Sequence, residues 1–138
     1  MSGECVLIDT SAWIASFRQA GPEQLHSYVA DTLQKDLAAT CPPVFLEILQ
    51  GCRSETEYRR MKERFESLHF FEASAQTWET TYRMGFKLRT KGLTVPTIDI
   101  LIAAIAIENR LMLLHHDRHF RDIARRFEID ALDFIDSD

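Results

Sequence analysis

The sequence predicts an α/β fold in three layers, α/β/α, with a mainly parallel central sheet of about four or five strands. Three features carry this expectation. Short apolar runs of strand length alternate along the 138-residue chain with longer segments of helical periodicity. One helical segment, Ile100 to Ile107, is apolar all round and belongs in an interior. Asp9, Glu47, Asp99 and Asp117 each lie inside or directly after an apolar segment, where an ionised carboxylate is expensive unless paired, hydrogen-bonded or bound to a metal.

Taken in order, Cys5 to Ile8 is β-favouring and too short for a helix. Thr10 and Ser11 are capping residues for a helical turn that carries Trp13, Ile14 and Phe17. Gly21-Pro22 breaks the chain, and Leu25, Tyr28, Val29 and Leu33 then recur at helical spacing. Ala38 to Cys41 reads as a second strand, stopped by Pro42-Pro43. That proline pair suits the first turn of a helix, where the missing N–H groups are not needed. The helix holds Val44, Phe45, Ile48 and Leu49 and ends at Gly51.

Ser54 to Ser67 mixes both charge signs, as a solvated helix does, and His69 to Phe71 is a candidate third strand. Ser74 to Lys91 is a longer helical pattern through Trp78, Tyr82, Phe86 and Leu88. Thr97 opens the apolar helix, Leu111 to Leu114 is a fourth strand, Arg118 to Arg126 a short basic helix, and Ala131 to Ile135 a fifth strand. A chain of this length, without repeat, linker or low-complexity segment, is expected to form one domain over residues 1–138.

The formal charge of −5 argues against a general nucleic-acid coating protein, though not against an enzyme that binds nucleic acid locally. Cys5, Cys41 and Cys52 are odd in number and form no CxxC pair, so reduced thiols in a cytoplasmic protein are expected. The N-terminal apolar run is short, with Glu4 before it and Asp9 within it, unlike a secretory leader. The longest apolar stretch falls well short of the ~20 residues of a membrane span.

In an open α/β sheet, functional residues collect beyond the carboxyl ends of the strands. Asp9 and Asp117 follow predicted strands, while Glu47 and Asp99 fall in the first turns of helices that start at that same edge. Oxygen ligands suit Mg²⁺ or Mn²⁺ better than zinc, and no His or Cys stands in a zinc-ligand spacing. Two such ions ~3.5–4 Å apart can activate a water and stabilise the leaving oxygen of a phosphodiester. Taken singly, each acid has a plainer role, as an N-cap for Asp9 and Asp117 or a dipole-favoured first-turn acid for Asp99. Their convergence is the stronger reading.

The segments LIDTSAWI, FLEILQG, TIDILIAAIA and HDRHF, in this order, resemble the PIN domain, and more narrowly the VapC-type toxins of toxin–antitoxin pairs. The resemblance covers nearly the whole chain. It implies a PIN-like α/β/α fold, an Mg²⁺- or Mn²⁺-dependent endoribonuclease, a homodimer and a small antitoxin partner. Asp9, Glu47, Asp99 and Asp117 match the family's acidic quartet, and Ser11 matches a small polar position that orients a carboxylate or a water at the ion. His115 stands where the family often has a hydroxyl, so it is a supporting candidate that hydrogen-bonds a carboxylate, contacts phosphate or simply ends a strand. Asp122 is a helper for Asp117 or an exposed helix-surface acid.

Between Glu79 and Asp99 every charged residue is basic, and Arg83, Lys87, Arg89 and Lys91 lead toward Asp99. With Arg118 they are the candidate RNA contacts, since cations there would neutralise backbone phosphates. An ordinary solvated helix end is the plainer alternative. Trp13, Phe17, Trp78, Tyr82 and Phe86 fit core packing or a protein-binding groove better than base stacking. Three other functions compete. A housekeeping RNA- or DNA-processing nuclease shares the chemistry. A non-catalytic PIN-like module would leave the clustered carboxylates repelling one another for no gain. An aspartate-based phosphotransfer protein would need a second acid at position 11, where Ser11 stands, or a late lysine that His115-His116-Asp117 does not offer.

Overall fold

The computed structural model describes residues 5–134. Strand β1 (Val6–Ile8) leads through Asp9 into helix α1 (Thr10–Phe17), followed by α2 (Glu23–Gln34) and β2 (Ala38–Thr40). Then come α3 (Pro42–Gln50), α4 (Glu55–Glu66), the two-residue β3 (His69–Phe70) and α5 (Ala75–Thr90). The last part holds α6 (Thr97–Glu108), β4 (Met112–His115), α7 (Arg118–Ala124) and β5 (Ala131–Asp133). The predicted elements are all present. The fifth strand closes at Asp133, and Ile135, which the sequence reading included, lies outside the described residues.

All five strands are parallel, in the order β3-β2-β1-β4-β5. The chain winds outward from β1 through β2 to β3, then returns to place β4 on the other side of β1. Strands β1 and β4 are therefore the switch point of the sheet, beyond whose carboxyl ends such folds form their sites. Leu7 and Ile8 point to opposite faces by strand alternation, yet both are fully buried, as are Leu113 and Leu114 in β4. Helices accordingly cover both faces, giving the expected three layers.

Local chemistry sets the ends. Asp9, rather than Thr10 or Ser11, is the N-cap of α1, because its carboxylate reaches the Ser11 N–H. Ser54 caps α4, and Ser74 with Thr77 forms a capping box on α5. Pro42 and Pro43 occupy the first turn of α3. Gly92 has φ of +78° and turns the chain out of α5; a side chain there would strain the left-handed backbone. That turn, followed by Pro96, swings the chain back along α5 as α6.

Every residue from Ile100 to Ala106 is buried, so α6 is the interior helix its composition demanded. It packs on α5, α3 and α7. Ile102→Ala is expected to lower unfolding stability by about 2–5 kcal/mol, measured by urea titration. Leu46→Ala, at a position 61 % exposed, should change it by less than about 0.5 kcal/mol. A neutral Ile102→Ala would contradict an interior α6.

Candidate metal centre

The backbone ladder between β1 and β4 continues one residue past Ile8, where Asp9 N–H donates to the Leu114 carbonyl at 2.9 Å. Asp9 is thereby fixed at the sheet edge, and only 3 % of it is exposed. Its Oδ2 accepts from the Ser11 N–H at 2.9 Å and from the Ser11 hydroxyl at 2.5 Å. The same hydroxyl oxygen accepts from His116 N–H at 2.9 Å. Ser11 thus orients a carboxylate, one of the two roles expected of it, and ties the end of β1 to the end of β4.

Asp99 lies in the first turn of α6 and Asp117 is the N-cap of α7, its Oδ1 accepting from His119 N–H at 2.8 Å. Glu47, on the second turn of α3 and not the first as expected, because the helix already starts at Pro42, accepts from the Thr10 hydroxyl at 2.6 Å through Oε1. Burial pushes the Asp9 carboxyl up to about 7, and the charge of Asp99 adds to this. Burial also pushes Asp99 up to about 6, with further repulsion from Asp117 and Glu47. Asp99 is therefore the electrical centre of the four. Beneath them, burial and then the charges of Asp9 and Glu47 push the Cys41 thiol up to about 12.

Sequence reasoning missed two participants. Thr10 was read only as a cap, yet it holds Glu47. His119 places Nδ1 3.1 Å from Asp99 Oδ2 and 3.1 Å from Asp117 Oδ1. It sits in the HDRHF segment two residues after Asp117, but its approach to Asp99 depends on how α7 packs on α6, which no local spacing reveals. The expected oxygen-only donor set therefore has an imidazole nitrogen within it.

The remaining candidates are placed differently. His115, the last residue of β4, is buried, and its ring packs on Phe120 with centroids 5.2 Å apart. Its Nδ1 accepts from Asp117 N–H at 3.3 Å, so it props the turn that presents Asp117. Burial pushes its pKa below the usual histidine range. Asp122 faces Arg125 at 3.9 Å, and no described contact joins it to the quartet. Arg83, Lys87, Arg89 and Lys91 are exposed. Arg83 and Lys87 line a shallow pocket with Glu79 and Phe127, of roughly 420 Å³. Lys91 closes α5 beside the turn into α6, at the same end as Asp99. Arg118 is exposed directly after Asp117.

The donor chemistry fits a hard or borderline divalent cation. The charges of Asp117 and Glu47 oppose ionisation of Asp99, the charge of Asp99 opposes that of Asp9, and a cation relieves that repulsion. Asp99, Asp117 and His119 offer three donor atoms that all lie within 4.8 Å of one another.

The PIN domain family pattern matches residues 6–126. The chain is 32 % identical to VapC ribonuclease Mb1587 of Mycobacterium bovis over 139 aligned residues, covering 94 % of this chain and 98 % of the relative. Ribonuclease VapC11 of Mycobacterium tuberculosis matches with the same identity and coverage. Among solved structures, VapBC2 of Rickettsia felis bound to a promoter DNA fragment superposes with a TM-score of 0.76 at 16 % identity, over 94 % of this chain and 98 % of that one. VapBC-1 of nontypeable Haemophilus influenzae gives the same TM-score and identity over 95 % and 98 %. At such identities these structures share the fold.

The raised carboxyls set a pH dependence. Folded Asp9 and Asp99 hold protons well above the ordinary carboxylate range, so the metal-free protein loses their contribution to stability as pH rises from that ordinary range up to about 6 to 7. A cation binds the ionised forms and must displace those protons at lower pH. The gain in melting temperature on adding Mn²⁺ should therefore be greater at about pH 7.5 than at about pH 5.5, by about 5 °C or more. An equal gain at both, read by differential scanning fluorimetry, would contradict the assignment of these carboxylates as the cation's ligands.

Proposed function

The chain belongs to the PIN domain family, and from that premise we propose that it is a metal-dependent endoribonuclease, the toxin of a toxin–antitoxin pair. The observation that supports the reading is the electrostatic coupling of Asp99 to Asp9, Glu47 and Asp117, carboxylates carried by four separate elements. Nearly full-length relatives named as ribonucleases support RNA as the substrate.

Asp9, Asp99, Asp117 and Glu47 would hold Mg²⁺ or Mn²⁺ at the mouth between β1 and β4. The bound cation supplies Lewis-acid stabilisation of the charge that develops on the phosphodiester. The chain's own residues do the rest. Ser11 fixes the Asp9 carboxylate, and His115 and the α7 N-terminus fix Asp117. Glu47, held by Thr10 and half-buried, would take the proton of the attacking water. The water oxygen bonds to phosphorus as the bond to the leaving ribose oxygen breaks, and that oxygen takes a proton from solvent. Cations at the end of α5 and Arg118 position the strand through its phosphates.

Partners follow from the same premise. The related solved assemblies include toxin–antitoxin complexes, which supports a small antitoxin here. Exposed apolar side chains are available for protein contacts: Ile14 and Phe17 on α1, Leu46 on α3, Phe70 in β3, and Trp78, Tyr82 and Phe86 on α5. Together they can serve an antitoxin and a second copy of this chain in a homodimer. No helix among the described residues is long and apolar enough to cross a membrane, and a cytoplasmic location fits an RNA target.

Asp99→Asn should lower RNA cleavage by the purified protein about 100-fold or more, while its metal-free melting temperature holds or rises because a repelling charge is removed. In a bacterial host, induced wild type should arrest growth and Asp99→Asn at matched level should not. Undiminished cleavage by the variant would sink the assignment. Arrest by both proteins would point to toxicity through binding or aggregation instead.

A further inference from the structure

We propose that His119 supplies a nitrogen ligand to the cation held by Asp99 and Asp117, and so biases the site toward Mn²⁺ over Mg²⁺. The inference rests on the metal-dependent reading above and refines it, since the expected ligands are oxygens alone.

The geometry is specific. Backbone N–H of His119 donates to Asp117 Oδ1 at 2.8 Å, which fixes the residue in the first turn of α7. Its Nδ1 then stands 3.1 Å from one oxygen of Asp117 and 3.1 Å from one of Asp99, a residue of a different helix. An octahedral cation with donors at about 2.1–2.2 Å separates neighbouring donors by about 3.0–3.1 Å. Both separations from His119 Nδ1 match those of adjacent ligands of one ion, and all three donor atoms lie within 4.8 Å of one another. With the cation bound, the neutral ring carries its proton on Nε2 and gives the Nδ1 lone pair to the ion. The His119 side chain is 41 % exposed and Asp117 33 %, so the ion's other positions open to solvent, where a phosphate arrives.

The chemistry then sets the preference. Mg²⁺ favours oxygen donors and keeps much of its water, whereas later divalent metals accept imidazole more readily. A single nitrogen among carboxylates shifts the balance toward Mn²⁺ without creating the multi-histidine or thiolate set of a zinc site.

The test uses the full chain and Mn²⁺ alone, followed by electron paramagnetic resonance and calorimetry. Mn²⁺ bound to wild type should show hyperfine coupling to nitrogen, which changes isotope when histidine is ¹⁵N-labelled. His119→Ala should lose that coupling and bind Mn²⁺ about tenfold or more weakly, with Mg²⁺ affinity changed less than about threefold. His119→Gln, of similar reach, repeats the comparison if the alanine variant folds poorly. Bound Mn²⁺ without nitrogen coupling in wild type, or coupling that survives in both variants, would overturn the ligand assignment while leaving the carboxylate site standing. Equal losses for the two metals would overturn the preference. A wild type that binds no Mn²⁺ would overturn this inference and the metal-dependent reading together.

Discussion

Carboxylates held against their own repulsion are the constraint on which the structure turns. Asp9 and Asp99 are pushed up to about 7 and about 6 because they are buried and because their neighbours are also acidic. Nothing in such an arrangement favours folding by itself; the rest of the protein has to impose it. The parallel ladder from β1 into β4 fixes Asp9, and the Ser11 hydroxyl joins the two strand ends on either side of the switch point. A divalent cation would turn this repulsion into binding energy, so the energetic liability of the clustered carboxylates and their affinity for metal have the same origin.

The interior helix α6 is the second support. Burial of Ile100 to Ala106 fixes its axis, and the turn at Gly92 and Pro96 fixes where it begins. Asp99 in the first turn is then delivered to the sheet edge, at the helix end whose dipole best tolerates negative charge. Helices α3 and α7 pack against α6 and bring Glu47 and Asp117–His119 to the same place. The apolar core and the polar mouth are therefore two ends of one packing solution.

Most of this was legible in the sequence because its signals are local. Strand runs, caps, the proline pair before α3 and the all-apolar α6 each declare themselves within a few residues. The four acids stand out in the sequence because acids beside apolar runs are rare for a physical reason. What local patterns do not carry is the meeting of side chains from different elements. Thr10 finds Glu47 thirty-seven residues away, and His119 finds Asp99 twenty residues away. His115 looked ambiguous for the opposite reason: a strand-end histidine reads alike whether it faces the site or the core, and packing turns it onto Phe120. The helical spacing of Trp78, Tyr82 and Phe86 likewise admitted core packing, yet all three are exposed on α5.

The account stands or falls on where a divalent cation goes. Crystals of the wild-type chain soaked in Mn²⁺, with diffraction collected at the manganese absorption edge, would show it directly. An anomalous peak is expected between the ends of β1 and β4, within bonding distance of Asp99 and Asp117 oxygens. A manganese peak only at unrelated surface acids, or none at a concentration that stabilises the protein in solution, would contradict it.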